Sequence, residues 1–407
     1  MRKIIRFFAG MTAIMVFSVL GLTGYYQATI PDHYYVHQGE QLTINSLVSS
    51  SQPQQIISTV SSNQSSGKSV QLDLFGIIPI KQTMVSEVNQ TEVIPGGTPF
   101  GIKLLTQGVM VVGLNAIDSE DGLKNPAKDA GLKIGDVITA VNGQPVSSNK
   151  EISALVQQSN GAAITVTYTR GSESQTISIQ PVISRVDKHP KAGIWVRDSS
   201  AGIGTVTFYD PNTQLFGGLG HPVCDVDTGM TLPISYGEMV SATINGINKG
   251  TIGTPGELIG AFTTNSPIGS VLLNTDCGVF GEMYEQPQGE PVPLALKQEV
   301  HTGKATILST LDGTTPQEYE IEIEELNLNE KSVTRNMVIR VTDKTLLEKA
   351  GGIVQGMSGS PILQDGKLVG AVTHVFVNDP TKGYGIFAEN MMSTALSLEQ
   401  DQEKKAS

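Results

Sequence analysis

The chain is poor in cationic residues and in cysteine. It has 27 Lys and Arg against 39 Asp and Glu, a formal net charge of −12, and only 2 cysteines in 407 residues. Binding along a phosphate backbone requires clustered Lys and Arg, and the sequence has no basic stripe, so no nucleic-acid partner is expected. Cys224 and Cys277 are too few for a zinc site. They either form one disulfide or remain free thiols, and neither a metal nor another cofactor is predicted.

Glycine and proline, in contrast, are plentiful. The chain has 44 Gly and 20 Pro, and only 16% of its residues are charged. This composition favours many turns and short strands over long helices. The length suggests two or three domains, each with a sizeable core.

The N-terminus has the pattern of an export signal. Arg2, Lys3 and Arg6 precede an apolar run from Phe7 to Leu22, as in secretory signals. No small-x-small cleavage site follows, so we predict a retained membrane anchor over residues 1–24. A cleaved signal peptide is the alternative. In either case the positive-inside rule places the remaining chain outside the cytoplasm.

A polar segment follows the anchor. Residues 38–68 are rich in Ser and Gln and have little apolar periodicity, which predicts a flexible stalk over 25–69 that is open to proteolysis. Strand-like patterns begin near Val70 and predict a β-rich connector over 70–91.

The next segment resembles the PDZ domain of bacterial periplasmic proteases. Its signature is Gly131-Leu132-x-x-Gly135-Asp136-x-Ile138-x-x-Val141-Asn142-Gly143. Asn-Gly predicts a tight hairpin turn, and residues 150–158 have helical spacing. The resemblance implies a PDZ domain over 92–182 that captures a peptide end by adding it as a strand. The binding loop is then expected at Pro99, Phe100, Gly101 and Ile102.

A candidate nucleophile lies near the C-terminus. Gly356-Met-Ser358-Gly-Ser-Pro361 is followed by Ile362-Leu363, a turn and a second apolar strand. The pattern resembles the G-x-S-G-[GS]-P motif of chymotrypsin-class peptidases and does not fit the G-x-S-x-G elbow of α/β hydrolases. The main-chain N–H groups of Gly356 and Ser358 are the expected oxyanion hole.

A serine nucleophile requires a base, and the chain has six histidines. His221 follows a glycine-rich turn that leaves room for an imidazole at a cleft, so we predict it as the general base. His374, on the strand behind the serine, is interpreted as a core histidine. Chain order and spacing leave Asp225, Asp227, Asp276 and Asp343 open as the orienting acid.

The same residues resemble a known family. The segments Gly193–Pro211, Gly218-Leu-Gly-His-Pro222, Asp225-Val-Asp227, Thr342-Asp-Lys-x-Leu-Leu347 and Gly351–Ile362 are similar to the SpoIVB peptidases, the stage IV sporulation protein B family. The resemblance implies the triad His221, Asp343 and Ser358. It also implies a chymotrypsin-like double β-barrel over 183–398, so the fold class is mainly β. Residues 399–407 are predicted to be a disordered tail.

The resemblance further implies a biological setting. SpoIVB peptidases are exported from the forespore into the space between two membranes. There they cleave themselves and the membrane regulator SpoIVFA, which triggers intramembrane processing of pro-sigma-K. Two other functions stay open: a non-catalytic PDZ scaffold at the membrane, and a quality-control protease of the HtrA type. The HtrA type usually has the protease before the PDZ domain.

Overall fold

A computed structural model describes residues 2–50, 67–328 and 333–406 of the chain. Its first element is helix α1 (Arg2–Thr29). Within it, Ile4–Thr29 has a mean hydropathy of 1.9, and its length and composition are sufficient to cross a membrane. Near the C-terminal end of the helix, Leu22 and Tyr26 pack against the hydrophobic core of the segment that follows. The helix extends past residue 24, where the anchor was predicted to end.

The segment after this helix is folded rather than stalk-like. Four strands form a sheet of order β1-β4-β3-β2. They are β1 (His33–His37), β2 (Val48–Ser50), β3 (Lys68–Leu74) and β4 (Ile78–Val88). Tyr34, Leu72 and Leu74 are fully buried in its core. The prediction of a flexible stalk is therefore wrong for residues 25–50, because alternate residues of β1 are buried in this core. Residues 51–66 of the predicted stalk lie outside the described residues. The predicted connector corresponds to β3 and β4.

The PDZ elements surround a separate hydrophobic core. Two strands lead into them, β5 (Glu92–Pro95) and the long β6 (Pro99–Leu114). The remaining elements are β7 (Ile117–Ser119), β8 (Gly122–Lys124), α2 (Pro126–Asp129), β9 (Val137–Val141), β10 (Gln144–Pro145), α3 (Asn149–Gln158), β11 (Ile164–Arg170), β12 (Glu173–Ile179), β13 (Val182–Ile183) and β14 (Pro190–Lys191).

Local sequence explains the two clearest PDZ elements. Asn142 and Gly143 have φ of 50° and 75°, the left-handed conformation of a tight hairpin turn, and they join β9 to β10 as predicted. Ser148 is the N-cap of helix α3, and its side chain forms a capping box with Glu151. Its apolar face buries Ile152 and Val156, so the predicted helix is confirmed.

The first barrel closes through both edges of β6. The new strands are β15 (Ile194–Tyr209), β16 (Leu215–Gly218), β17 (Ile234–Asn248), β18 (Glu257–Thr275), β19 (Gly278–Met283) and the short β20 (Val292–Pro293). Pairing runs β6-β17-β18-β19-β16-β15, and β15 pairs again with β6. This cycle is a closed six-stranded barrel.

This topology corrects the predicted domain boundary. The first barrel strand begins at Pro99, inside the range expected for the PDZ domain, and β6 also pairs with β9 of the PDZ core. The PDZ elements from β7 to β14 are therefore inserted between two neighbouring strands of the first barrel. The peptidase barrels do not begin at residue 183.

The second barrel forms from consecutive chain. A 3₁₀ turn (Lys297–Glu299) leads to β21 (Gly303–Ser309), β22 (Gln317–Leu326), β23 (Met337–Val341), α4 (Lys344–Ala350), β24 (Pro361–Gln364), β25 (Lys367–Phe376) and β26 (Asp379–Phe387). The six strands close as β21-β22-β23-β26-β25-β24. The predicted alternation on β22 is confirmed, because Tyr319, Ile321 and Ile323 face the barrel core. Two closed barrels confirm the predicted fold class.

A C-terminal helix joins the two barrels. Helix α5 (Ala388–Ala406) places Met391, Met392 and Ala395 in one hydrophobic cluster with Phe280 of the first barrel and Ile386 of the second. This shared core fixes one barrel against the other. The expectation of a disordered tail from residue 399 is wrong for residues 399–406, since the helix extends to Ala406.

Candidate active site

The predicted nucleophile and base meet in a cleft between the barrels. The cleft has a volume of about 980 Å³. Ser358 and His374 enter it from the second barrel, whereas His221 enters from the first. The structure thus brings together two predicted catalytic residues that are separated by more than a hundred residues in the chain.

The loop before β24 holds Ser358 tightly against the first barrel. Gly356 has φ of 96° and Gly359 has φ of 94°, a conformation that side chains oppose. A Cβ at Gly359 would also overlap with the carbonyl oxygen of Thr205 on β15. Close approach of the two barrels therefore requires a glycine at position 359.

Two threonines of β15 hold the carbonyl groups of this loop. The Oγ1 of Thr205 donates to the Gly356 carbonyl at 2.8 Å, and the Oγ1 of Thr207 donates to the Gly359 carbonyl at 2.8 Å. The N–H of Thr205 donates to the Ser358 carbonyl at 3.2 Å. Since Thr207 is fully buried, loss of its hydroxyl would leave a buried carbonyl without a partner.

The N–H groups of the loop divide into two sets. Those of Met357, Gly359 and Ser360 donate to main-chain carbonyls. Within the described parts of the chain, those of Gly356 and Ser358 donate to no protein acceptor. Two free N–H groups beside a serine are what an oxyanion hole requires. The Ser358 hydroxyl itself donates to the Thr373 carbonyl at 2.8 Å.

A strained turn places His221 in the cleft. The chain leaves β16 through Leu219, at φ of 65°, and Gly220, at φ of 67°. A left-handed leucine is unusual, and such strain concentrates at functional sites. The His221 Nδ1 lies 2.9 Å from the Pro222 carbonyl, so in the neutral ring an Nδ1–H donates there and Nε2 is left as a base. Burial lowers the pKa of His221, and the hydrogen bond to Pro222 opposes this shift.

A second histidine lies beside the first. The rings of His221 and His374 are 5.0 Å apart between centroids and tilted by 40°. Burial, followed by the charges of His221 and Arg335, lowers the pKa of His374 to about 4. Residue 374 as a whole is solvent-accessible at the rim of the cleft, and it is the ring, which lies against His221, that is partly desolvated. The interpretation of His374 as a core histidine is therefore wrong. Residue 374 follows the buried Thr373 on β25, and the alternation of the strand turns it outward.

Asp343 is not in this cleft. It follows β23 and is the N-cap of α4, where its Oδ1 accepts the Leu346 N–H at 2.9 Å. Its charge contributes to the raised pKa of Tyr319, after burial of that phenol. In the described parts of the chain no carboxylate contacts His221. The structure therefore does not assemble the triad that the resemblance implies, because the carboxylate of Asp343 caps a helix.

Two other acids left open by the sequence have structural partners. Asp225 is buried and forms an ion pair with Arg197 of β15. It also accepts hydrogen bonds from the N–H and hydroxyl of Thr228. Asp227 pairs with the same arginine. Cys224, in the same segment, and Cys277 are both free thiols.

The residues predicted to form the PDZ binding loop do not lie at a peptide-binding groove. Residues 99–102 belong to the first barrel, where β6 pairs with β15 on one edge and β17 on the other. Phe100 and Ile102 are buried. These residues cannot add a peptide strand, because both edges are occupied. A groove of about 700 Å³ lies elsewhere, between α3 and the first residues of β15.

Sequence reasoning missed the main-chain and threonine contacts. The Pro222 and Thr373 carbonyls have no sequence signature, because every residue has a carbonyl group. Thr205 and Thr207 lie at alternating positions of a strand, a pattern that indicates one shared face. The pattern does not indicate that this face meets the serine loop.

Two barrels with a serine and a histidine at their junction define a peptidase of the chymotrypsin class. Residues 188–392 match the sequence profile of SpoIVB peptidase S55, which is half of the chain, and residues 124–170 match the PDZ domain. The chain belongs to the SpoIVB peptidase S55 family, whose members are serine endopeptidases.

Other similarities are shorter. Zinc metalloprotease RasP of Shouchella clausii is 37% identical over 86 residues, 21% of this chain and 19% of the relative. A probable periplasmic serine protease, do/HhoA-like, of Haemophilus influenzae is 43% identical over 58 residues, 14% of this chain and 12% of the relative. The chain thus spans less than a fifth of the length of these relatives. Where the chain is described, no three His, Cys, Asp or Glu side chains are grouped to hold a metal ion.

Solved structures resemble parts of the chain. The active form of the Rv3671c protease from M. tuberculosis is 16% identical, with a TM-score of 0.30, and the alignment covers 49% of this chain and 74% of that one. The PDZ domain of an SdrC-like protein from Listeria monocytogenes is 24% identical, with a TM-score of 0.18, over 22% of this chain and 87% of that one.

Proposed function

We propose that this protein hydrolyses peptide bonds, with Ser358 as nucleophile and His221 as general base. The observation that supports this most is their convergence, from different barrels, in one cleft beside two free N–H groups. A scaffold would require neither a base nor an oxyanion site.

The geometry supports a stepwise reaction. The Ser358 hydroxyl leaves the Thr373 carbonyl and transfers its proton to His221 Nε2 as Oγ attacks the substrate carbonyl. The N–H groups of Gly356 and Ser358 stabilise the oxyanion. His221 then donates the proton to the leaving amine, and water repeats the sequence to release the acyl group. The Pro222 carbonyl orients the imidazole in the position where a triad would have a carboxylate.

The substrates and setting follow the family. The apolar helix α1 anchors the chain, and both barrels lie outside the cytoplasm, on the forespore side of the intermembrane space. A SpoIVFA-like membrane regulator is the proposed target, and its cleavage triggers pro-sigma-K processing. The protein also cleaves a neighbouring copy of itself within residues 38–68.

The nucleophile is tested with a matched pair of serine variants. We expect Ser358→Ala to abolish casein cleavage by the full-length protein in detergent, and Ser360→Ala to retain it. Ser360 is fully buried, and its hydroxyl has no hydrogen-bond partner among the described residues, so we expect its removal to leave the fold intact. Activity and far-UV circular dichroism are measured together. Folded Ser358→Ala protein with normal activity contradicts the proposal.

Self-cleavage is tested with the same variant. Expressed alone, S358A protein should stay full length and bound to membranes. Mixed with active enzyme, it should be shortened, and N-terminal sequencing should place the new terminus between Gln38 and Lys68. Normal shortening of S358A protein expressed alone would assign the cut to another protease.

A further inference from the structure

Strand β15 borders two cavities, the groove beside α3 and the catalytic cleft. The first residues of the strand, Ile194–Val196, line the groove beside α3 together with Gly193, which precedes the strand. Arg197 and residues 199–203 line the catalytic cleft. The groove and the cleft therefore follow one another along a single strand.

One edge of this strand is open over most of its length. Among the strands that the structure describes, residues 194–205 pair with β6 alone, and β16 and β5 pair with β15 only from Val206 onward. Every residue from Ile194 to Ile203 keeps solvent exposure, whereas those from Gly204 to Tyr209 are buried. A long open edge is a template for pairing with another chain, and folded proteins usually cover or shorten such edges.

The backbone groups of the open edge point towards the nucleophile. The N–H of Thr205 donates to the Ser358 carbonyl, and its own carbonyl accepts the N–H of Leu219. Pairing with β6 is regular from Ser199 to Thr205. Because a strand alternates its edges, Ala201 and Ile203 present their N–H and C=O groups to the same side.

The chemistry sets the direction of a bound chain. His221 donates a proton to the leaving amine, so the residues downstream of the cut lie on the side of the first barrel, which contains β15. An antiparallel strand on this edge then runs from the cleft towards the PDZ groove. The distance from Ile203 to Ile194 corresponds to about 30 Å of extended chain.

The junction of the two cavities is reinforced. The register between β15 and β6 shifts at Arg197/Ser199, and Asp198 there accepts the N–H of Asn149, the first residue of α3, at 2.8 Å. The carboxylate thus ties β15 to the helix that forms the other wall of the groove. Apolar walls from Ile152, Val156 and Val196 suit apolar side chains of an extended peptide.

We infer that one extended substrate segment occupies both cavities, so that the PDZ groove binds residues about 8–12 positions downstream of the scissile bond. The substrate class is an unfolded polypeptide with a long segment after the cut. This inference rests on the proposed function and specifies how substrates are selected.

The test uses peptides that share a cleavage sequence mapped in casein. One series adds about 3, 6, 9 or 12 downstream residues, and a matched series adds the same numbers upstream. With full-length enzyme, we expect kcat/KM to rise about tenfold or more as downstream residues are added. A few additional backbone hydrogen bonds to β15 are sufficient for a gain of this size. Upstream additions should give much less. A flat profile, or an equal gain from upstream residues, overturns the inference.

Two variants locate the effect on β15. Ala201→Pro removes an N–H at the open edge, a position where proline is tolerated, and should bring the ratio of kcat/KM for long over short peptides towards one. Ala201→Val keeps the N–H and should keep the ratio. An unchanged ratio in A201P enzyme contradicts pairing on this edge.

A fluorophosphonate probe separates this inference from the proposed function. If wild-type enzyme labels at Ser358 and S358A protein does not, the nucleophile stands, and the peptide series decides the inference alone. If wild-type enzyme neither labels nor cuts any peptide, the proposed function and the inference both fail.

Discussion

The second barrel takes its six strands from consecutive chain between Gly303 and Phe387, whereas the first takes β6 from before the PDZ elements and five strands from after them. The contiguous barrel contributes Ser358, the proposed nucleophile, and the N–H groups of the proposed oxyanion hole. The interrupted barrel contributes His221, the threonines that hold the serine loop and the open edge of β15. In the proposed mechanism, catalysis therefore depends on the interface between a barrel of consecutive strands and a barrel that contains the inserted PDZ elements. Predictions for the residues at that interface test this division.

The largest effect is expected at the point of closest approach. Gly359→Ala places a methyl group against the Thr205 carbonyl at a φ of 94°, so we expect loss of several kcal/mol of unfolding free energy, as for other severe clashes. Gly366→Ala is the matched control, because Gly366 has φ of 77° and open space around its Cα. We expect it to cost about 1 kcal/mol. Urea unfolding measures both, and equal losses would mean that backbone strain, not barrel contact, requires the glycine.

A smaller effect is expected from substitutions of Asp343, which test whether this residue only caps α4 in the second barrel or also orients His221 of the first. Asp343→Ala removes the cap of α4 and should cost about 1 kcal/mol of unfolding free energy. Asp343→Asn keeps a capping oxygen and should keep both stability and most of kcat. If the Asn variant is stable but loses about 10⁴ in kcat, as when a triad acid is replaced, Asp343 orients His221 and the placement described above does not represent the active state.

The smallest effect concerns the two histidines across the interface. Since the pKa of His374 is lowered from its usual value near 6.5 to about 4, the unfolded chain binds more protons than the folded one between these pH values. Folded-state stability therefore falls as the pH drops through this window and changes no further from this group below pH 4.

His374→Gln removes that contribution. The melting temperature of the variant should depend less on pH between about 4 and 6.5 than that of the wild type. His221→Gln, whose pKa is also lowered by burial, should have an effect of the same sign. Identical pH profiles for wild-type and H374Q protein would contradict the lowered pKa.

Elements governed by neighbours in the chain were predictable. The Asn142-Gly143 turn, helix α3 and the alternation on β22 follow from turn chemistry, capping and period-two patterning, all of which act over a few residues. The serine loop was identified for the same reason, since its glycines and proline constrain the backbone locally. The prediction of a flexible stalk failed for residues 25–50 because the short strands β1 and β2 pair with β4 and β3, which lie later in the chain.

The sequence by itself determined the mainly β class, the apolar N-terminal helix and the PDZ signature, and it identified Ser358 and His221, which share one cleft, as the proposed nucleophile and base. Only the tertiary structure showed that β6 belongs to the first barrel and where the groove beside α3 lies. It showed as well that Asp343 caps a helix. It also placed His374 beside His221 and Thr205 beneath the serine loop. These outcomes depend on pairings between strands far apart in the chain, and no local preference specifies which distant backbone fills an edge.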